Sequence, residues 1–189
     1  NMPDTESLIR HIEYTRNYLE EHWGISREKL NLDFSPDTFG HSRFVPEINT
    51  FGGVKYYYHC RGLQDDLTLY RYKCPSGAEI LMYKEPYWYN SGVNPDNGTG
   101  VFEMERRCAG LKTALDCGTG IFGLSKRCAG LKTGLIVYGV GDHGGGPSRR
   151  DIERVLEMQG WPVFPTMKFG TVREYFAKAE AVREKLPVV

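Results

Sequence analysis

The spacing of apolar residues changes rhythm along the chain, and each change marks a predicted element. Leu8, Ile12, Leu19 and Trp23 recur near one face of a helix over residues 6–23, with Asp4 or Thr5 as cap and Gly24 as stop. Leu30-Asn31-Leu32-Asp33-Phe34 alternates and predicts a buried strand, which Pro36 ends. Phe44, Val45 and Ile48 suit a short helix closed by Gly52-Gly53, and Val54 to Cys60 is dense in strand formers. Leu67 to Lys73 and Ala78 to Lys84 predict two strands joined by Cys74-Pro75-Ser76-Gly77, a hairpin arm on the main fold. Leu135 to Tyr138 predicts another buried strand. A Gly-rich loop follows it, and then a helix opened by the Ser148/Asp151 capping pattern, with Ile152, Val155 and Leu156 as its apolar stripe. Trp161 to Phe164 predicts a strand. Thr171 and Glu174 cap a last helix that buries Val172, Tyr175, Phe176 and Ala179. Repeating strand–loop–helix units predict an α/β fold, a parallel sheet or barrel.

One stretch departs from this rhythm. Gly98-Thr99-Gly100-Val101-Phe102 returns as Gly118-Thr119-Gly120-Ile121-Phe122, and Arg107 to Thr113 returns as Arg127 to Thr133, a period of 20 residues. Two copies do not make a solenoid. Only the second leads into the predicted strand at Leu135, so residues 98–135 read as a local tandem duplication whose first copy is an insertion.

The 189 residues suffice for one domain with a core. The 24 basic residues balance 24 acidic ones, so no basic surface points to nucleic acid or an anionic membrane as partner. No apolar run is long enough to span a bilayer, and no signal segment opens the chain. Five cysteines without a CxxC pair suggest reduced thiols in a cytoplasmic protein. Aromatics at 13% suit a sugar site and a core equally. Pro86 to Asn90, an aromatic run, reads mainly as packing under the hairpin.

The candidate chemistry lies at strand ends. Ser35-Pro36-Asp37-Thr38-Phe39-Gly40-His41-Ser42 puts Asp37 at a strand's C-terminal tip, where α/β folds carry their chemistry. Taken alone, the stretch is a polar turn with a helix cap. Arg61 ends the next predicted strand, 24 residues on.

The motif from Pro36 to Ser42 resembles the nucleophile signature of the class II α-mannosidases, glycoside hydrolase family 38. Val137 to Ser148 resembles that family's bacterial branch. The likeness is patchier between residues 91 and 130. The resemblance implies part of a seven-stranded α/β barrel, with residues 1–189 as a partial catalytic domain. It implies a retaining hydrolase acting on α-mannosides or mannose-containing oligosaccharides. It makes Asp37 both nucleophile and metal ligand, and Arg61 a contact to nucleophile and substrate. A guanidinium there would orient the carboxylate and keep it ionised.

Retaining hydrolysis needs two carboxyl groups about 5 Å apart. Asp142, at another predicted strand tip, is the acid/base candidate, with His143 as the alternative one residue on. His41 and His143 are candidate substrate contacts. The implied metal is zinc, which accepts imidazole nitrogen and carboxylate oxygen. The family's His-x-Asp pair occurs nowhere in this chain. The expectation is therefore a fragment, or a domain without its first strand, inactive or at most sugar-binding alone. Open sheet edges would favour association with further copies. His143-Gly144-Gly145-Gly146 also resembles a lipase oxyanion segment, but no Gly-x-Ser-x-Gly elbow accompanies it.

Overall fold

A computed structural model describes residues 3–63, 67–85, 89, 128–129, 131, 133–140, 145–162 and 166–189. They fall into two units: residues 1–84 with 183–189, and residues 85–182. The 98–135 duplication lies largely outside the described residues.

Helix α1 (Thr5–Trp23) opens the first unit. Asp4 caps it by accepting from the Ser7 N–H at 2.8 Å, and the Gly24 N–H closes it onto Glu20 O at 3.1 Å. The predicted stripe is only partly used: no residue of α1 is buried, and Trp23 is 70% exposed. Contact is made through Ile12, where Gly52 has no side chain. A Cβ on Gly52 would stand 2.6 Å from Ile12 Cγ2. Arg16 adds to this junction, donating to the carbonyls of Gly52 and Arg27.

The sheet contains β1 (Leu32–Ser35), β2 (Tyr56–His59), β3 (Leu69–Lys73) and β4 (Glu79–Lys84), in the order β1-β2-β4-β3. β1–β2 and β2–β4 are parallel; β3–β4 is antiparallel. The hairpin is therefore no arm. Its second strand pairs with β2 and belongs to the main sheet. Ile80, Leu81, Met82 and Tyr83 are all fully buried, so β4 is apolar on both faces, as a central strand must be. Beyond β3, Arg71 N–H donates to Pro187 O, Val189 N–H to Arg71 O, and Lys73 N–H to Val189 O, so residues 187–189 cover that edge. The described residues form a four-stranded mixed sheet within an α/β fold.

Register assigns the two faces. Asp33, Tyr57, Met82 and Tyr70 form one row, with Ser35, His59 and Lys84 in the next row on the same face. The core gathers here: Tyr57, Tyr70, Ile80 and Met82 pack with Val54 and with Val45 of α2 (Val45–Phe51). The opposite face carries a stacked row, Phe34 on Tyr58 at 4.6 Å and Tyr58 on Tyr83 at 5.8 Å between ring centroids.

In the second unit, both predicted capping boxes form. Ser148 N–H donates to Asp151 Oδ2 at 3.0 Å and Asp151 N–H to Ser148 Oγ at 3.2 Å, opening α3 (Arg149–Met158). Thr171 and Glu174 do the same for α4 (Val172–Ala179). The buried line of α3 is Asp151, Val155 and Met158, not the expected Ile152 and Leu156, which are 40% and 53% exposed. Val155 and Met158 pack with Tyr138, Trp161 and Met167, and this contact selects the face. Of the buried strand expected over Leu135 to Tyr138, only Tyr138 carries a bridge, and all four residues are half-buried. Pro162 lies in a turn, and Val163 to Pro165 fall outside the described residues.

Candidate active site

Asp37 follows β1 by two residues, and Arg61 follows β2 by two. Because β1 and β2 are parallel neighbours with Ser35 opposite His59, the two side chains leave the same end of the sheet. Arg61 Nε donates to Asp37 Oδ1. The guanidinium carbon also lies 4.4 Å from the centroid of the Phe39 ring, which is 84% exposed. The side chains are 32% exposed for Arg61 and 46% for Asp37, so water screens the pair and its net contribution to stability is about 1 kcal/mol or less. One carboxylate oxygen is held in a fixed direction beside an aromatic face. That arrangement can present a nucleophile or grip a polyol.

Beneath this tip lies a polar network that the sequence did not reveal. His41 Nε2 and His59 Nδ1 both approach the main-chain carbonyl of Arg61, at 2.8 and 3.1 Å. His41 Nδ1 meets the Tyr57 hydroxyl and His59 Nε2 the Tyr70 hydroxyl, each at 2.8 Å. Tyr57 also reaches Ser35, whose hydroxyl lies 2.6 Å from Asp33 Oδ1, and Asn49 bonds the same carboxyl group. Burial dominates the titration of this set. It pushes His59 down to about 4, lowers His41, and raises Asp33, Tyr57 and Tyr70 above their ordinary values. The usable signal was the period-two pairing of Tyr57 with His59 and of Asp33 with Ser35 on one strand face. It could not show that the two strands would bring these residues together.

His41, a candidate substrate contact, thus has both ring nitrogens engaged by protein groups. Asp142 and His143 lie outside the described residues. Of their loop, the base is described: Val140 N–H donates to Gly146 O at 3.2 Å, just before the Ser148 cap. Among the described residues no three His, Cys, Asp or Glu side chains gather as a metal site. A surface groove lined by Tyr72, Lys73, Cys74, Val188 and Val189 lies at the β3 edge and holds none of the motif residues. No described helix is long and apolar enough to cross a membrane.

A parallel-strand tip thus carries an acid and an arginine at one end of the sheet. No family model matches the chain. Over 192 residues, 98% of its length, the chain is 26% identical to α-mannosidase G of Dictyostelium discoideum and covers 16% of that protein. It is 22% identical over 187 residues to the α-mannosidase of Saccharomyces cerevisiae, covering 93% of this chain and 15% of the yeast protein. The crystal structure of an α-mannosidase from Enterococcus faecalis V583 superposes with a TM-score of 0.60 at 20% identity, over 98% of this chain and 20% of that one. The chain is α-mannosidase-like along nearly all its length, and it spans about a sixth of the length of the curated relatives it matches.

Proposed function

We propose that this chain carries the nucleophile of a retaining α-mannosidase of the glycoside hydrolase family 38 type. The observation that supports it most is the Arg61–Asp37 pair at adjacent parallel strand tips, within the signature from Pro36 to Ser42. Arg61 holds one oxygen of Asp37, which leaves the second to attack the anomeric carbon of a bound α-mannoside. The glycosidic C–O bond breaks as the Asp37 ester forms, and Asp142 gives its proton to the departing oxygen. Water then attacks the same carbon. Asp142 takes its proton, the ester bond breaks, and mannose leaves with its configuration retained.

The family resemblance implies zinc at Asp37. The described donors do not fit it: Asp37 is the one metal-type ligand at this tip, and both nitrogens of His41 are engaged. No step above runs through a metal, and a zinc ion here would need donors beyond the described residues. A second reading, a mannosidase-like domain that binds sugar without cleaving it, is favoured by the exposed Phe39 ring beside the Arg61–Asp37 pair, a surface that can hold a polyol.

The test is turnover of an aryl α-mannoside, with and without zinc, by a full-length α-mannosidase carrying this segment in place of its own matching one, and by the Asp37→Asn form of the same protein. The proposal expects turnover that falls to background in the variant. Equal rates in both proteins would refute the assignment of Asp37. Calorimetric binding of the mannoside without turnover by either protein would select the second reading.

A further inference from the structure

The carbonyl of Arg61 is an acceptor only, so each imidazole nitrogen facing it must carry hydrogen. That fixes His41 as the Nε2–H form and His59 as the Nδ1–H form. In the neutral rings, His41 Nδ1 and His59 Nε2 then accept from the hydroxyls of Tyr57 and Tyr70. The two rings sit 5.0 Å apart and enter from different elements, one from the loop after β1 and one from the end of β2. We propose that His41 and His59 are positioning residues, a two-donor clamp on the Arg61 carbonyl that fixes the guanidinium on Asp37. The functional meaning of the clamp rests on the reading of Asp37 as nucleophile; its geometry does not.

Three observations carry the inference. The chain turns sharply just after the clamped carbonyl: Gly62 has φ +68° and Leu63 φ +59°, two successive left-handed residues. A glycine suits this turn: at φ +68° a side chain is strained, and a Cβ on Gly62 would lie 3.3 Å from His41 Cδ2, displacing the ring by a few tenths of an ångström. The Arg61 side chain is 32% exposed, and water screens its ion pair to Asp37. The clamp uses both lone pairs of the carbonyl and so fixes the backbone from which that side chain starts toward Asp37 and Phe39. His59 is fully buried, and the desolvation that holds it near 4 keeps it neutral at pH 7, so Nε2 can accept from Tyr70 while Nδ1–H holds the carbonyl.

The test is NMR on the whole chain. Imidazole ¹⁵N shifts should assign hydrogen to His41 Nε2 and His59 Nδ1; the opposite tautomer on either ring overturns the clamp. Arg61 Nε–H exchange then reports its hold on Asp37. His41→Leu and His59→Leu should speed that exchange up to about tenfold, the scale of one lost net hydrogen bond. His41→Gln places an amide donor near Nε2, and His59→Asn places one near Nδ1. Both should restore slow exchange, while the exchanged amides, His41→Asn and His59→Gln, should not. Unchanged Arg61 exchange in folded leucine variants refutes the proposal. If the leucine variants do not fold, equal exchange in matched and mismatched amides refutes it. A mannoside titration separates the two readings. An intact clamp with no sugar binding sinks the proposed function alone, and sugar binding with an indifferent Arg61 sinks the clamp alone.

Discussion

Acid should destabilise the first unit through His59, by an amount the structure sets. His59 is 0% exposed, so its protonated form loses nearly all contact with water. Desolvation is the largest cause of its fall from 6.5 to about 4, opposed by the bond to the Arg61 carbonyl and aided by His41 and Lys84. The folded pKa lies below the unfolded one. Its contribution is therefore complete above about 6.5 and is lost as pH falls toward 4, because the unfolded chain takes up the proton first. Between pH 7 and 5 the loss is about 2 kcal/mol, rising to about 3 kcal/mol by pH 4. His41 acts in the same direction, and Asp33, held above its ordinary value by burial, acts in the opposite one. Comparison with His59→Asn, which keeps a donor for Arg61 but does not titrate, subtracts both. Urea unfolding followed by circular dichroism at pH 7 and pH 5 gives the four free energies required. The wild type should lose about 2 kcal/mol more than the variant over that interval. Equal losses would show that His59 is hydrated or already charged, and would refute its burial as the controlling term.

Met82→Ala should cost about 2–5 kcal/mol of unfolding free energy, because Met82 is fully buried in the central strand of the core; a loss under 1 kcal/mol would argue against that placement. Thr171→Ala removes a reciprocal cap and should cost about 1 kcal/mol, whereas Thr171→Ser should be nearly neutral in the same urea titration. Deleting residues 98–117, the first copy of the repeat, should leave the melting temperature unchanged or raised, and a large fall would make that copy part of the fold.

Local chemistry was the legible part of this sequence. Asp4, Gly24, Ser148 with Asp151, and Thr171 with Glu174 marked helix ends correctly, because a cap is satisfied within a few residues. The pairing of Asp37 with Arg61 was reached through motif resemblance and the parallel strands that follow from it. Strand order was not legible. Nothing in Glu79–Lys84 announces that it inserts between β2 and β3, since pairing depends on residues far along the chain. The apolar stripes of α1 and α3 misled for a related reason: periodicity gives a face, and only the neighbouring element decides how much of it is covered. The His41–His59 clamp escaped because each ring looks ordinary in its own segment, and the shared acceptor is a backbone atom with no sequence signature.

The first unit is discontinuous in sequence: Glu85–Val182 intervene between β4 and the residues that cover the edge of β3. Arg183 nonetheless donates to Glu79 at 3.1 Å across a separation of 104 residues. In polymer terms the unit is a ring closed by residues 85–182, and for a flexible closing tether the entropy of closure grows only with the logarithm of its length. Lengthening the tether from 78 residues to its present span would cost about 0.2 kcal/mol, far below what one buried side chain contributes. A 20-residue insertion between these two anchor points is therefore nearly invisible to the sheet that bears Asp37, and length variation can accumulate there while the strand tips stay in register.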